Sequence, residues 1–295
     1  MTEKKYPLRL KDLLRLRPTT SSWVQWSRRL LILGLIIVSL GVIGHLLIRF
    51  VVWPQIETSK PAIEKLLSER IGVSVKIDHL HVHWEGIRPV FDMTGLEFIP
   101  NPNQQTALIP NSPGLKIREI RGELSWSSLY YLKPHFNKLQ ASDAIIQVVR
   151  DKQERLFVAG ILAGTGADDL DTQNWLFSQN NLELNNATIL WKDFSKSKSD
   201  VADLRIETLA LRSGIRTHEL NIGLFSPWHQ GKLSLSGKFV HRIGGTPGNW
   251  RDWIGDFQWD VQSLDIGQLT RDFEIPFKQL SGVLRSSGAL SLSKG

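Results

Sequence analysis

No cysteine occurs among the 295 residues, which excludes disulfides, thiolate metal centres and a cysteine nucleophile. Such a chain suits an oxidising compartment, where a free thiol is a liability. The usual fingerprints of catalysis are missing too. The sequence holds no Gly-x-Ser-x-Gly elbow, no His-Glu-x-x-His helix and no dinucleotide-binding glycine pattern. The acidic pair Asp168-Asp169 sits in an evident loop, so no catalytic residue is assigned and no cofactor is called for. Charge of one sign is also scarce beyond the N-terminus. Of the 36 basic and 29 acidic residues, 28 and 27 respectively lie after residue 29, so the net charge of +7 belongs almost entirely to the first 29 residues. No basic, aromatic-interleaved module follows, and nucleic acid is not a partner.

What the sequence does have is one long apolar run, LLILGLIIVSLGVIGHLLIRFVV, from Leu30 to Val52. A helix needs roughly 20 apolar residues to cross a bilayer core, so residues 30–52 read as a transmembrane helix. Trp23 and Trp26 before it and Trp53 after it stand at the depths where aromatic rings collect, and Arg28, Arg29 and Arg49 are placed to reach headgroups. A cleaved signal peptide has a shorter apolar core ending in a small-x-small site, whereas this run continues into Arg49-Phe50-Val51-Val52-Trp53-Pro54. Residues 1–29 carry eight Lys or Arg against Glu3 and Asp12. Basic flanks stay on the cytoplasmic side, so residues 1–29 read as a cytoplasmic basic segment and the rest as translocated, periplasmic in a Gram-negative cell. Within that segment Leu10, Leu13 and Leu14 recur at helical spacing, as in a helix lying on headgroups; a basic unstructured tail reads equally well.

Residues 53–72 read as a linker and a docking helix, with Thr58 or Ser59 as N-cap, Pro61 in the first turn, Ile63, Leu66 and Leu67 on one face, and Gly72 as the stop. From residue 73 the pattern changes to strands. Val73, Val75 and Ile77 alternate with polar residues, and Leu80, Val82 and Trp84 alternate with His79, His81 and His83. The apolar parity flips at Asp78-His79, which predicts a bulge or tight turn within a sheet. Strand-like runs separated by turn residues continue to the end, and helical periodicity is confined to SSLYYL and QNWLFSQN. NKLQASDAIIQVVRD and NLELNNATILWKD form a weak internal repeat of a hairpin-like unit, and a sheet grown by repeats elongates rather than closes. GVLRSSGALSLSKG stops in mid-pattern, so the β-rich region of 73–295 is expected to continue in a longer chain. Trp250, Trp253 and Trp259 read as sheet-packing residues.

Two constellations invite a chemical reading. His79, His81 and His83 at period two place three imidazoles on one strand face, a spacing that can chelate a metal with Asp78 or Glu85 nearby. Strict alternation produces the same three histidines as a plain polar face, and they are weak metal candidates. GILAGTGADDLD, residues 160–171, meets neither the phosphate-loop nor the calcium-loop template and reads as a flexible loop.

The apolar anchor, IEKLLSERIGVSVKIDHLHVHWEG, RPVFDMTGLEF, IREIRGELSWSSLYYLKP and WRDWIGDFQWDVQSLDI, in this order, resemble the N-terminal part of the AsmA-like family of inner-membrane-anchored envelope proteins in Gram-negative bacteria. The resemblance runs from about Leu30 to the end. It implies a mainly β fold: a transmembrane helix, then an elongated, twisted, antiparallel sheet, open and bridge-like, curled into an apolar groove with a few short helices. It also implies phospholipid of the inner membrane as cargo, moved between inner and outer membranes, and envelope proteins as partners. Val73, Val75, Ile77, Leu80, Val82 and Trp84 are the candidates for the groove's entrance, because they follow the anchor directly. The rival readings are a periplasmic scaffold acting through protein contacts, its apolar faces wholly buried, and a metal-dependent enzyme at the three histidines.

Overall fold

The structure, a computed structural model, describes residues 22–99, 109, 113–131, 133–163, 168–195, 202–225, 233–249, 252–267 and 282–293. It divides into two compact units, Met1–Pro54 and Gln55–Gly295.

In the first unit, helix α1 (Ser22–Leu47) passes through a π-helical turn (Ile48–Val52) into α2 (Trp53–Thr58). The apolar residues of α1 face outward, and Trp23–Thr58 is long and apolar enough to cross a membrane. Helix therefore begins earlier and ends later than the apolar run. Pro54 lies within α2, and a proline ring inside a helix clashes with the carbonyl four residues back. The π turn absorbs that proline: Trp53 donates its N–H to the Ile48 carbonyl, five residues back, and the wider turn relieves the clash.

The second unit opens with the rest of α2 and with α3 (Lys60–Ile71), which has Pro61 in its first turn. Ser59 is the N-cap residue, but its hydroxyl donates to the Gln55 carbonyl at 2.7 Å rather than capping α3. Gly72, at φ 81°, closes the helix in the left-handed conformation that favours glycine. A 13-stranded sheet follows. Its strands are β1 (Ser74–Lys76), β2 (His79–Glu85), β3 (Arg88–Ile99), β4 (Leu115–Leu124), β5 (Phe136–Arg150), the short β6 (Leu156–Val158) and β7 (Ile161–Leu162), β8 (Asn181–Asp193), β9 (Ala202–Ser213), β10 (Thr217–Phe225), β11 (Leu233–Val240), β12 (Ile254–Asp265) and β13 (Val283–Leu292). Helix α4 (Ser127–Tyr131) precedes β5, and α5 (Asp168–Ser178) precedes β8. The main path runs β1-β3-β4-β5-β8-β9-β10-β11-β12-β13, with β2 beside β3 and β6 and β7 off the edge of β5, and the sheet does not close on itself.

The expected open, mainly β sheet is found, and it is antiparallel at every pair but one. β5 and β8, the two strands of the sequence repeat, lie side by side and parallel, with Leu139 opposite Leu182 and Val148 opposite Trp191. Each is one continuous strand, not the hairpin-like unit expected. A parallel neighbour requires a crossover, and here the connection carries β6, β7 and α5. That connection also corrects the reading of residues 160–171 as a loop: Ile161 and Leu162 pair with β6, and α5 starts at Asp168.

The parity flip at Asp78-His79 extends across the sheet. β1 and β2 lie on β3 in a single register, Lys76 opposite Glu97 and His79 opposite Thr94, so no residue is inserted. Instead, a pair of polar residues interrupts the alternation in each of several neighbouring strands: Arg118-Glu119 in β4, Ser142-Asp143 in β5, Asn185-Asn186 in β8 and Glu207-Thr208 in β9. Gly95, Asp143 and Asn186 stand on this line at φ 67°, 55° and 53°. A left-handed residue turns the strand, so residues of opposite parity go on facing the same side. The packing agrees: Leu184 and Leu209, on one side of the line, pack against Ala144, Ala187 and Ile206 on the other. At β10 the line ends in a register shift between Gly223 and Leu224.

An apolar sheet face as the candidate functional site

Residues directly opposite in a ladder project from the same face. Followed from strand to strand, one row runs Val82, Phe91, Gly122, Leu139 and Leu182. It continues through Leu211, Leu220, Gly237, Phe257 and Leu290. The row beside it runs Leu80, Met93, Ile120, Ala141 and Leu184, then Leu209, Ile222, Leu235, Trp259 and Gly288. Neither row contains a polar side chain. The row between them projects from the other face and is mostly polar, with His81, Asp92, Arg121, Gln140 and Glu183 at its start.

The glycines in the apolar rows make room for rings. A Cβ on Gly122 would lie 2.2 Å from Phe91, one on Gly237 2.4 Å from Phe239, and one on Gly288 2.4 Å from Trp259. Aromatic rings thus lie over glycines of the rows and fill the places where side chains would stand. Along the first row Val82, Leu182 and Leu211 are buried, Phe91, Leu139, Leu220 and Phe257 are half-buried, and Leu290 on β13 is exposed; the second row is half-buried throughout. Helix α3 packs along β1 and α5 against β9.

One end of the face is stopped by a ring cluster. His218 stacks on Trp253 with centroids 4.5 Å apart, Phe177 meets both edge-on, and Phe239 lies 5.4 Å from Trp253. His218 is fully buried, with Nδ1 3.1 Å from the Ser213 hydroxyl and Nε2 3.0 Å from Nδ1 of His241. Burial pushes the His218 imidazole down to about 4, helped by the neighbouring His241, and burial together with Arg216 pushes His241 down. Both rings are therefore neutral near pH 7, and one donates to the other. Gln179, also fully buried, accepts the Phe136 N–H at 2.8 Å and donates to the Trp175 carbonyl.

The model of one protein family, described as YhdP protein, matches residues 19–295. The chain belongs to the YhdP family. That membership makes it an AsmA-like protein of the cell envelope, and its N-terminal helix fits a single-pass membrane anchor. No curated protein matches the chain.

Within this YhdP-family chain the six groove candidates divide into two sets. Leu80, Val82 and Trp84 lie on β2, Leu80 and Val82 being the first members of the two apolar rows. Trp84 lies 6.0 Å from Trp126, ring to ring. Val73, Val75 and Ile77 are 4%, 3% and 2% exposed, on and beside the strand that α3 covers. The expected interface residues Trp23, Trp26, Arg28 and Arg29 are exposed on α1, Arg49 is half-buried, and Trp53 is buried. Arg29 lies over the Trp26 ring and Arg49 over that of Phe50.

His79, His81 and His83 do project from the polar face. His81 Nδ1 is 2.8 Å from Glu57, His83 is 3.4 Å from Asp92, and the His81 and His83 rings stack at 5.6 Å. Among the described residues no three His, Asp or Glu side chains converge as metal ligands. The sequence reading passed over the rows beyond β2, the line of turned strands and the His218-His241 pair. The signal for the line was present: the same mid-strand polar pair recurs in 78–79, 118–119, 142–143, 185–186 and 207–208.

Proposed function

We propose that this chain is an inner-membrane-anchored, periplasmic part of a bridge that moves phospholipid between the inner and outer membranes along its apolar sheet face. The observation that carries the reading is the pair of apolar rows, unbroken over ten successive strands and backed by a polar face. An acyl chain in water costs about 0.8 kcal/mol per CH₂. A face that offers the same apolar contact at every strand, roughly 4.8 Å apart, lets a lipid step sideways without repeating that cost. The headgroup stays in water at the margin, and no covalent chemistry is needed. Topology follows the charge: the basic first 29 residues hold the N-terminus in the cytoplasm, and the sheet stands in the periplasm.

The test is photo-crosslinking in cells. A photoreactive residue is placed in turn at Ile222, Leu235 and Phe257 on the apolar face, and at Asn221, Lys238 and Gln258 on the other. Phospholipid adducts at the first three and none at the second three is the expected result. Protein adducts alone at the first three, in a chain shown to be folded, would replace the bridge with a scaffold acting through protein contacts.

A further inference from the structure

The β2–β3 and β4–β5 links lie at the same end of the sheet, since Glu85 pairs with Arg88, Val90 with Glu123 and Leu124 with Phe136. Among the described residues of these two links, three exposed apolar side chains stand at that end. Ile87, at the tip of the Gly86 turn, is 67% exposed; Tyr130 on α4 is 83% exposed, and Trp126 just before α4 is 37% exposed. Single exposed apolar residues are ordinary, but turn tips favour glycine, asparagine, aspartate and proline, and an isoleucine, a tyrosine and a tryptophan on adjacent links are not what solvation selects. Cations accompany them: Arg88, paired with Glu123 at 3.0 Å, and the exposed Lys133. The remaining acid of the turn, Glu85, is paired with Arg121. The same composition recurs farther along this end, where Ile215, 95% exposed, precedes Arg216 and Ile243, 77% exposed, follows Arg242.

A second observation concerns where the chain enters this unit. Glu57 accepts the Val82 N–H at 2.7 Å, near the end of β2, while Lys60 reaches the Ile77 and Asp78 carbonyls and Ser68 the Val75 N–H. Helix α3 thus runs away from the end that carries Ile87, and the chain enters at that end. The apolar stretch closing at Val52 precedes Glu57 by a few residues in sequence.

We propose that the β2–β3 turn and the β4–β5 connection seat on the headgroup–acyl boundary of the bilayer that holds the anchor, with Ile87, Trp126 and Tyr130 inserted and Arg88 and Lys133 facing lipid phosphates. Trp and Tyr belong at this depth because one side of each is apolar and the other wet, and long cationic side chains reach the phosphates beside them. Such a seat places the first strands, and Trp84 beside Trp126, at the bilayer surface. The proposal needs the anchor to lie in a membrane but not lipid movement along the sheet.

The lack of cysteine makes the test clean. Full-length protein carrying Ile87→Cys, Tyr130→Cys or, at the opposite end of the sheet, Lys152→Cys is labelled with an environment-sensitive dye and reconstituted in phosphatidylethanolamine–phosphatidylglycerol vesicles. Vesicles with nitroxide on the lipid near the headgroup are then compared with vesicles without it. Quenching at positions 87 and 130 several-fold above that at 152 is expected; equal quenching at all three would overturn the seat. Shielding of 87 and 130 from iodide in native envelopes, without quenching by nitroxide lipid, would assign the surface to a protein partner and overturn it equally. Lipid adducts on the apolar face are read separately, so either idea can fail alone.

Discussion

Asn186 donates its side-chain amide to the carboxylate of Asp143, and the two residues stand opposite each other on the parallel strands β8 and β5, each in the left-handed conformation. Arg118 on β4 adds an ion pair to the same carboxylate at 2.7 Å. Left-handed backbone costs least for glycine, asparagine and aspartate, whose short polar side chains bond locally. The line that lets the apolar face persist through a change of parity is held by residues suited to it. Asn186→Val is expected to lower stability by about 2–3 kcal/mol, from backbone strain plus a lost hydrogen bond, and Asn186→Gly by within about 1 kcal/mol. Urea denaturation of the two variants, compared at constant m-value, measures the difference.

Gly95 occupies the same line on β3, and a Cβ there would lie 1.9 Å from the Asp78 carboxylate. Two separate penalties then attach to Gly95→Ala: the positive φ of 67° and the collision. Asp78→Ala removes only the collision. The double variant is therefore expected to be more stable than the sum of the single effects, with a coupling of about 1–2 kcal/mol. Additive losses would show that Asp78 swings clear at no cost and that backbone strain is the whole effect.

How much of this was legible in the sequence depends on whether a feature is local. Alternation in Val73–Trp84 gave the strands, their two faces and the point where parity changes, because side-chain direction follows from period two alone. Ser59, Pro61 and Gly72 gave α3 for the same local reason. Other features rest on contacts distant in sequence. The parallel pairing of β5 with β8 depends on a crossover through α5. His218 meets His241 only because β10 and β11 are partners and Trp253 folds back over them. The burial of Val75 and Ile77 was open to two readings until α3 was seen along β1, since an apolar strand face looks the same in sequence whether helix or lipid covers it.

The buried His218-His241 pair sets an acid limit on the fold. With His218 lowered from 6.5 to about 4, the unfolded chain binds the proton more readily than the native one between those values. Stability is thus fully present above pH 6.5 and falls as the pH drops from 6.5 towards 4, by at most about 3 kcal/mol for this group. His241, lowered as well, acts in the same direction. Urea midpoints measured from pH 7.5 to 4.5 should fall in the wild-type chain. His218→Gln, which cannot titrate, should start less stable and give a shallower slope. An unchanged slope would mean that other groups carry the acid sensitivity.

Among the described residues, the outer edge of β1 is closed by side chains rather than by another strand. Ser68 accepts the Val75 N–H at 2.8 Å, Glu64 accepts the Ile77 N–H at 2.8 Å, and Lys60 donates to the Ile77 carbonyl at 2.6 Å. An open edge of an apolar-faced sheet is a template for pairing with another chain. Removing its caps also leaves donors without partners, at about 1–3 kcal/mol each where they stay dry. The double variant Glu64→Ala, Ser68→Ala is expected to lose stability and to associate in a concentration-dependent way, measured by light scattering in detergent. Glu69→Ala, an exposed position on the same helix, should do neither. A double variant that is less stable yet stays monomeric would show that α3 shields the edge by its bulk, with the side-chain bonds adding only stability.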